Sequence, residues 1–137
     1  MFNLFVYGTL LQSENPFGKY LKENSRFLQF GKLKGRLYNI GLYPGARSEP
    51  EGNSFVLGSI LSLNNYTETL RLMDEYEGFG IDQPQPNEYI RELIDIETET
   101  GLMKCWVYLY NLPVEKLHQI VGGDYLDFIL ETSGQLS

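Results

Sequence analysis

Asp74, Glu75 and Glu77 lie close together near the middle of a 137-residue chain, just ahead of Gly78. Residues 64–78, Asn-Asn-Tyr-Thr-Glu-Thr-Leu-Arg-Leu-Met-Asp-Glu-Tyr-Glu-Gly, read as one amphipathic helix closed by that glycine. At about 100° per residue, with Leu70 at zero, Tyr66 and Met73 flank Leu70, and Leu72 and Tyr76 widen the apolar arc. Glu77 falls roughly 20° from Leu70, inside the arc, whereas Glu75 points roughly 140° away towards water. Asp74, about 40° off on the other flank, reads as a boundary charge rather than a catalytic partner. A carboxylate on an apolar face is costly without partners. Desolvation and the negative end of the helix dipole would both raise its pKa. A carboxyl brought towards neutrality can accept a proton and return it. Intramolecular aminolysis needs that pair of acts, because the attacking amine loses a proton and the leaving amine gains one. The competing reading puts Glu77 in a fraying last turn, facing water or paired with Arg71, Arg91 or Lys104. The three acids are not a metal motif, since only two of them can face one site.

A second candidate is the turn Gly8-Thr9-Leu10, which stops the apolar run Phe2–Tyr7. Backbone N–H groups converging there could hold a carboxylate or a developing oxyanion. The plainer reading is an ordinary turn. Tyr43 precedes Pro44 and is held extended, so its ring either walls a pocket or packs against its own loop. Residues 79–88 are polar, contain two prolines and follow Glu77 directly, so they form a flap or a simple connection.

These residues need a scaffold. Residues 2–7 read as a central strand, apolar on both faces. Residues 15–24, with Pro16 near the start, fit a short helix. In residues 26–38, Leu33, Gly35 and Leu37 alternate with Lys32, Lys34 and Arg36, giving a strand with one wet face; Gly31 and Gly35 point to bending or close backbone approach. Residues 41–53 read as loop or hairpin tip, and 54–63 as another strand. Asn64, Asn65 or Thr67 can cap the central helix. Residues 89–97 and 103–110 form a strand pair joined through 98–102. A Gly122-Gly123 turn leads into a last helix over 125–131. The pattern predicts an α+β protein, a single domain over residues 1–137, built on a small mixed β-barrel with a few flanking helices.

The totals narrow the function classes. Apolar residues make up 42% of the chain, which suits a globular domain with a core. The formal charge of −7 argues against nucleic acid and a membrane surface as partners. Ten tyrosines and eight phenylalanines can serve a core or line a small-molecule pocket. Cys105 and His118 are the sole residues of their types, which disfavours a disulfide, a structural zinc site and a Ser-His-Asp or Cys-His hydrolase. No signal-peptide pattern or membrane-length apolar run is evident, and a cytoplasmic location is expected.

Four motifs occur in a telling order: Phe5-Val-Tyr-Gly-Thr-Leu10, Leu72-Met-Asp-Glu-Tyr-Glu-Gly78, Tyr89-Ile-Arg91 and Trp106-Val-Tyr108-Leu-Tyr110. In this order they resemble the γ-glutamylcyclotransferase-like superfamily, in particular its short members, the γ-glutamylamine cyclotransferases and the butirosin-pathway enzyme. The resemblance implies release of 5-oxoproline from a γ-glutamyl amine or amino acid, with Glu77 as general acid/base. It implies that Tyr7, Gly8, Thr9 and Leu10 bind the γ-glutamyl moiety, largely through backbone N–H groups. It places the Tyr43-Pro44 loop near the substrate, makes Tyr110 a pocket residue, and calls for no metal or cofactor. The chain departs from many members at Ser59, where a glutamate follows the glycine, and at Thr9, a serine in some branches. Ser59 bears on substrate fit rather than chemistry. A catalytically silent module binding a small carboxylate, and a hydrolase releasing glutamate, are the other readings. Exposed apolar strand faces would permit a homodimer.

Overall fold

The computed structural model describes residues 2–8, 15–41 and 43–136, with side chains described as far as Glu131. Thr9, Leu10 and Leu42 lie outside the described residues. Strand β1 is Asn3–Val6, followed by helix α1 (Pro16–Glu23), β2 (Ser25–Asn39), β3 (Pro44–Ser48) and β4 (Phe55–Leu63). Helix α2 (Tyr66–Glu77), β5 (Tyr89–Thr98), β6 (Gly101–Tyr110), β7 (His118–Gln119) and helix α3 (Tyr125–Leu136) complete the order. Strands β2, β4, β1, β6 and β5 follow one another round a ring, which β5 closes by returning to β2 with Lys32 opposite Glu97. The β1–β6 pairing is parallel and the other pairings are antiparallel. The result is the expected mixed barrel, with β3 and β7 both added onto the outer half of β2.

Side-chain alternation explains the ring. Phe5, Leu33, Leu37, Val56, Ile60, Ile96, Cys105, Val107 and Leu109 fill one core cluster. Leu4, Leu61, Tyr108 and Tyr110, from the opposite faces of the same strands, join Leu21 of α1 and Leu70 and Met73 of α2 in a second. Strand β1 is therefore buried on both faces, as its β-prone residues on either face predict. In β2 the pattern holds from Lys32 onward: Leu33, Gly35 and Leu37 are buried while Lys32, Lys34 and Arg36 are exposed. A register shift between Phe27 and Gln29 marks a bulge in its first half. Gly35 is required by close approach, because a Cβ there would lie 2.0 Å from the Arg47 carbonyl oxygen on β3.

Two sequence expectations are corrected here and a third is extended. Residues 44–48, expected within a loop, form β3, paired with residues 35–39 of β2. Pro-Gly-Ala-Arg-Ser has neither alternation nor β-branched residues, so its strand character comes from the neighbour it pairs with. Asn65 occupies the N-cap of α2, but its side chain makes no capping hydrogen bond. Asp74, expected as a boundary charge, is a structural hub. Arg91 on β5 donates to it through Nε at 2.7 Å and Nη2 at 3.0 Å, and the Tyr108 hydroxyl on β6 donates to Oδ1 at 2.6 Å. The Arg91 guanidinium also lies 4.4 Å from the Trp106 ring centroid.

At its C-terminus α2 ends as the sequence predicts. Gly78 is left-handed with φ 75°, and the Phe79 N–H closes the turn on the Asp74 carbonyl at 2.8 Å. Among the described residues no helix is long and apolar enough to cross a membrane. The Asp74–Arg91 pair is largely shielded, with side-chain exposures of 23% and 18%. Replacing Arg91 with Leu strands the carboxylate, and a loss of about 2–3 kcal/mol is expected. Urea unfolding reads it as a lower midpoint at unchanged slope.

Candidate active site

The end of α2, the end of β1, the start of β3 and the start of β5 border a half-open cavity of about 410 Å³. Its walls are mostly aromatic or aliphatic: Phe5, Tyr7, Tyr43, Met73, Tyr89 and Tyr108 contribute. Glu77 is in the lining, placed there by the same arc that buries Leu70 and Met73. The three cations that could have paired with it are engaged elsewhere. Arg71 bonds Glu68 and Glu75, Arg91 bonds Asp74, and Lys104 bonds Asp95. Among the described residues no group donates a hydrogen bond to the Glu77 carboxylate or pairs with it.

Four of the five phenols around it spend their hydrogens on other acceptors. Tyr7 donates to the Tyr108 carbonyl at 2.6 Å and accepts from the Ala46 N–H at 3.2 Å. Tyr89 donates to the Pro44 carbonyl at 2.7 Å, Tyr108 to Asp74, and Tyr43 to Glu88. Asn15 donates to the Tyr76 hydroxyl at 3.1 Å. Burial is the main reason the Tyr7, Tyr89 and Tyr108 phenols are pushed far above the ordinary range, and negative charge at Glu77 adds to it in each case. They are hydrogen-bond donors and walls here, not bases.

Burial, then repulsion from the Glu88 carboxylate, pushes Glu77 up from 4.5 to about 7. A carboxyl in that state takes and releases protons near neutral pH. Among the described residues no group of three or more His, Cys, Asp or Glu could hold a metal ion.

Of the residues singled out from sequence, the structure brings Tyr7, Gly8, Tyr43 and Glu77 to one cavity. Thr9 and Leu10 lie outside the described residues. Tyr110 is not in the described lining; its ring packs edge-on against Tyr89 at 5.5 Å, behind the wall. Tyr89 and Tyr108, named above as motif residues but not as site residues, also line the cavity, as does Glu88. Tyr108 shares the outer face of β6 with Tyr110, so alternation reveals the pair but not which one meets the cavity. Glu88 carries no periodic signal, since it ends a proline-broken loop. That loop, a candidate flap, is tied to itself: the Asn87 side chain bonds Gly80 N–H and carbonyl, each at 3.0 Å, and the Pro84 carbonyl at 3.0 Å. Asn111 N–H holds the Glu88 carbonyl at 2.7 Å.

The family model described as "Gamma-glutamyl cyclotransferase, AIG2-like" matches residues 4–127. The chain belongs to this family. It is 32% identical over 131 residues to the γ-glutamylcyclotransferase family protein YtfP of Escherichia coli K12, covering 90% of this chain and 96% of that one. It is 34% identical over 110 residues to the γ-L-glutamyl-butirosin B γ-glutamyl cyclotransferase of Niallia circulans, covering 80% of this chain and 67% of that one. The solution structure of Escherichia coli YtfP superposes with a TM-score of 0.66 at 31% identity, over 93% of this chain and 98% of that one. An AIG2-like protein from Mus musculus shares the fold, with a TM-score of 0.67 at 23% identity over 91% of this chain and 88% of that one. The γ-glutamyl cyclotransferase family thus supplies the barrel in which Glu77 and its tyrosine wall are set.

The raised Glu77 pKa has a consequence for stability. Between pH 4.5 and about 7 the folded protein keeps a proton on Glu77 that the unfolded chain releases, so stability falls as pH rises through that window. Glu77→Gln removes the penalty. At pH 8 the variant is expected to be more stable than the parent by about 3 kcal/mol, and at pH 4 the two should coincide. Urea unfolding at the two pH values checks this.

Proposed function

We propose that this protein is a γ-glutamylcyclotransferase that converts a γ-glutamyl amine or γ-glutamyl amino acid to 5-oxoproline and the free amine. The observation that carries the reading is a Glu77 carboxyl with no hydrogen-bond or ion-pair partner among the described residues, pushed up to about 7, in an aromatic cavity of a chain belonging to this family. The α-amine of the glutamyl group attacks its own γ-carbonyl carbon, and Glu77 takes the proton that nitrogen sheds. The C–N bond to the leaving amine then breaks as Glu77 returns the proton to the departing nitrogen. One carboxyl performs both transfers because its pKa lies near the working pH. The N–H groups of Gly8, Thr9 and Leu10 hold the glutamyl carboxylate or the γ-carbonyl oxygen. The low polarity of the walls strengthens each of these contacts.

Release of 5-oxoproline from γ-glutamyl amines, γ-glutamyl amino acids and glutathione tests the reading. Glu77→Gln is expected to lower kcat by about 10²–10⁴-fold with an unchanged circular dichroism spectrum. In the parent, kcat/KM should rise with pH through a limb near 7, as Glu77 becomes able to accept the proton. Full activity in Glu77→Gln would overturn the mechanism.

A further inference from the structure

The cavity holds a second acid that the chemistry above leaves without a task. Glu88 lines it beside Glu77, and the described lining includes no Lys, Arg or His. The Tyr43 hydroxyl donates to Glu88 Oε2, while Oε1 has no hydrogen-bond partner among the described residues. The backbone beneath Glu88 is fixed by the Asn111 N–H, and the Asn111 side chain bonds the Asn87 carbonyl at 2.9 Å. The carboxylate is thus presented to the cavity by a held segment. Tyr43 is 42% exposed, which puts the Tyr43–Glu88 pair at the rim, whereas Glu77 sits on the helix end.

We propose that Glu88, oriented by Tyr43, receives a positive charge on the leaving group, so that the preferred substrates are γ-glutamyl amides of amines that carry a second, cationic group. This rests on the cyclotransferase reading of the same cavity. The glutamyl α-amine is not the partner for Glu88, because it must be neutral to attack and must deliver its proton to Glu77. The cation at the rim therefore belongs to the part of the substrate that departs. Two carboxylates in one cavity repel, and the repulsion is felt at Glu77. A bound cation at Glu88 relieves it, whereas an anionic leaving group, such as the dipeptide part of glutathione, adds a third negative charge. Among the described residues the other titratable groups facing the cavity are phenols: Tyr7 just past β1, Tyr43 ahead of β3, Tyr76 from α2, Tyr89 from β5 and Tyr108 from β6. Nearby cations are already committed, Arg91 to Asp74 and Arg47 to the Leu112 carbonyl at 2.6 Å.

Two matched ligands test this: γ-L-glutamyl 5-aminopentylamide, which is cationic at its far end, and γ-L-glutamyl pentylamide, which is not. The parent protein is expected to favour the cationic one by about tenfold in kcat/KM at low salt, with the margin shrinking in 0.5 M NaCl. Glu88→Gln should bring the ratio close to one and move the acid limb of kcat/KM to lower pH. Tyr43→Phe should narrow the ratio without abolishing it. Calorimetric binding of the same pair to Glu77→Gln, and to Glu77→Gln/Glu88→Gln, reads recognition apart from turnover. The same tenfold preference is expected in the first and its loss in the second. Turnover without charge preference, or a preference that survives Glu88→Gln, overturns the assignment of Glu88 alone. Charge-dependent binding with no 5-oxoproline from either ligand supports Glu88 and overturns the cyclotransferase reading.

Discussion

The structure depends on one junction, the two-pronged ion pair between Asp74 on α2 and Arg91 on β5. Helix α2 rests on the barrel through Leu70 and Met73, and apolar contact alone is not directional. A bidentate carboxylate–guanidinium pair is directional, since it admits one rotation of the helix about its axis. Tyr108 donates to the same carboxylate from β6, so helix and two adjacent strands meet at one atom group. Trp106 covers a face of the guanidinium. Glu77 follows Asp74 by three residues, nearly one turn, so fixing one acid fixes the direction of the other.

The same junction accounts for the state of Glu77. Arg91 is consumed by Asp74, so the strongest cation close to the cavity does not neutralise the catalytic candidate. The phenols repeat the pattern. Tyr7 and Tyr89 bond backbone carbonyls, and Tyr108 bonds Asp74. Each satisfies its own polar group outward while turning its ring towards the cavity. A carboxyl left among rings, with no donor among the described residues, is desolvated, the condition that raises a carboxyl pKa. The polar satisfaction of the walls thus creates the polar dissatisfaction at the centre.

Regular burial was the legible part of this fold. The largely apolar run of β1, the alternation of Leu33, Gly35 and Leu37, and the arc of α2 with its glycine stop each report a local pattern of burial. The arc was narrower than its residue types suggest: Tyr66 and Tyr76 are 41% and 48% exposed, stacked on Phe2 and Phe17 rather than buried beneath the helix. Asp74 is the boundary charge its angle implies, but periodicity reports an angle from the core and not the Arg91 and Tyr108 that lie opposite. Strand β3 was misread because its pairing is supplied by β2. Tyr108 and Tyr110 are equivalent by alternation, and only their places in the register, Tyr108 opposite Arg91 and Tyr110 opposite Tyr89 on β5, separate the one that meets the cavity from the one behind it.

By itself the chain's order of residues determined a mixed barrel of alternating strands, one amphipathic helix, and a carboxylate on that helix's apolar side. These follow from the 2.0 and 3.6 periods, which are properties of neighbours along the chain. The tertiary structure decided which of the three clustered acids would be paired and which left alone, and it brought Glu88, from the far end of a loop, into the cavity of Glu77. Those outcomes rest on contacts between residues distant in sequence, such as Tyr43 with Glu88 and Asp74 with Arg91. Their strength is set by burial and distance, and neither quantity exists until the barrel has closed.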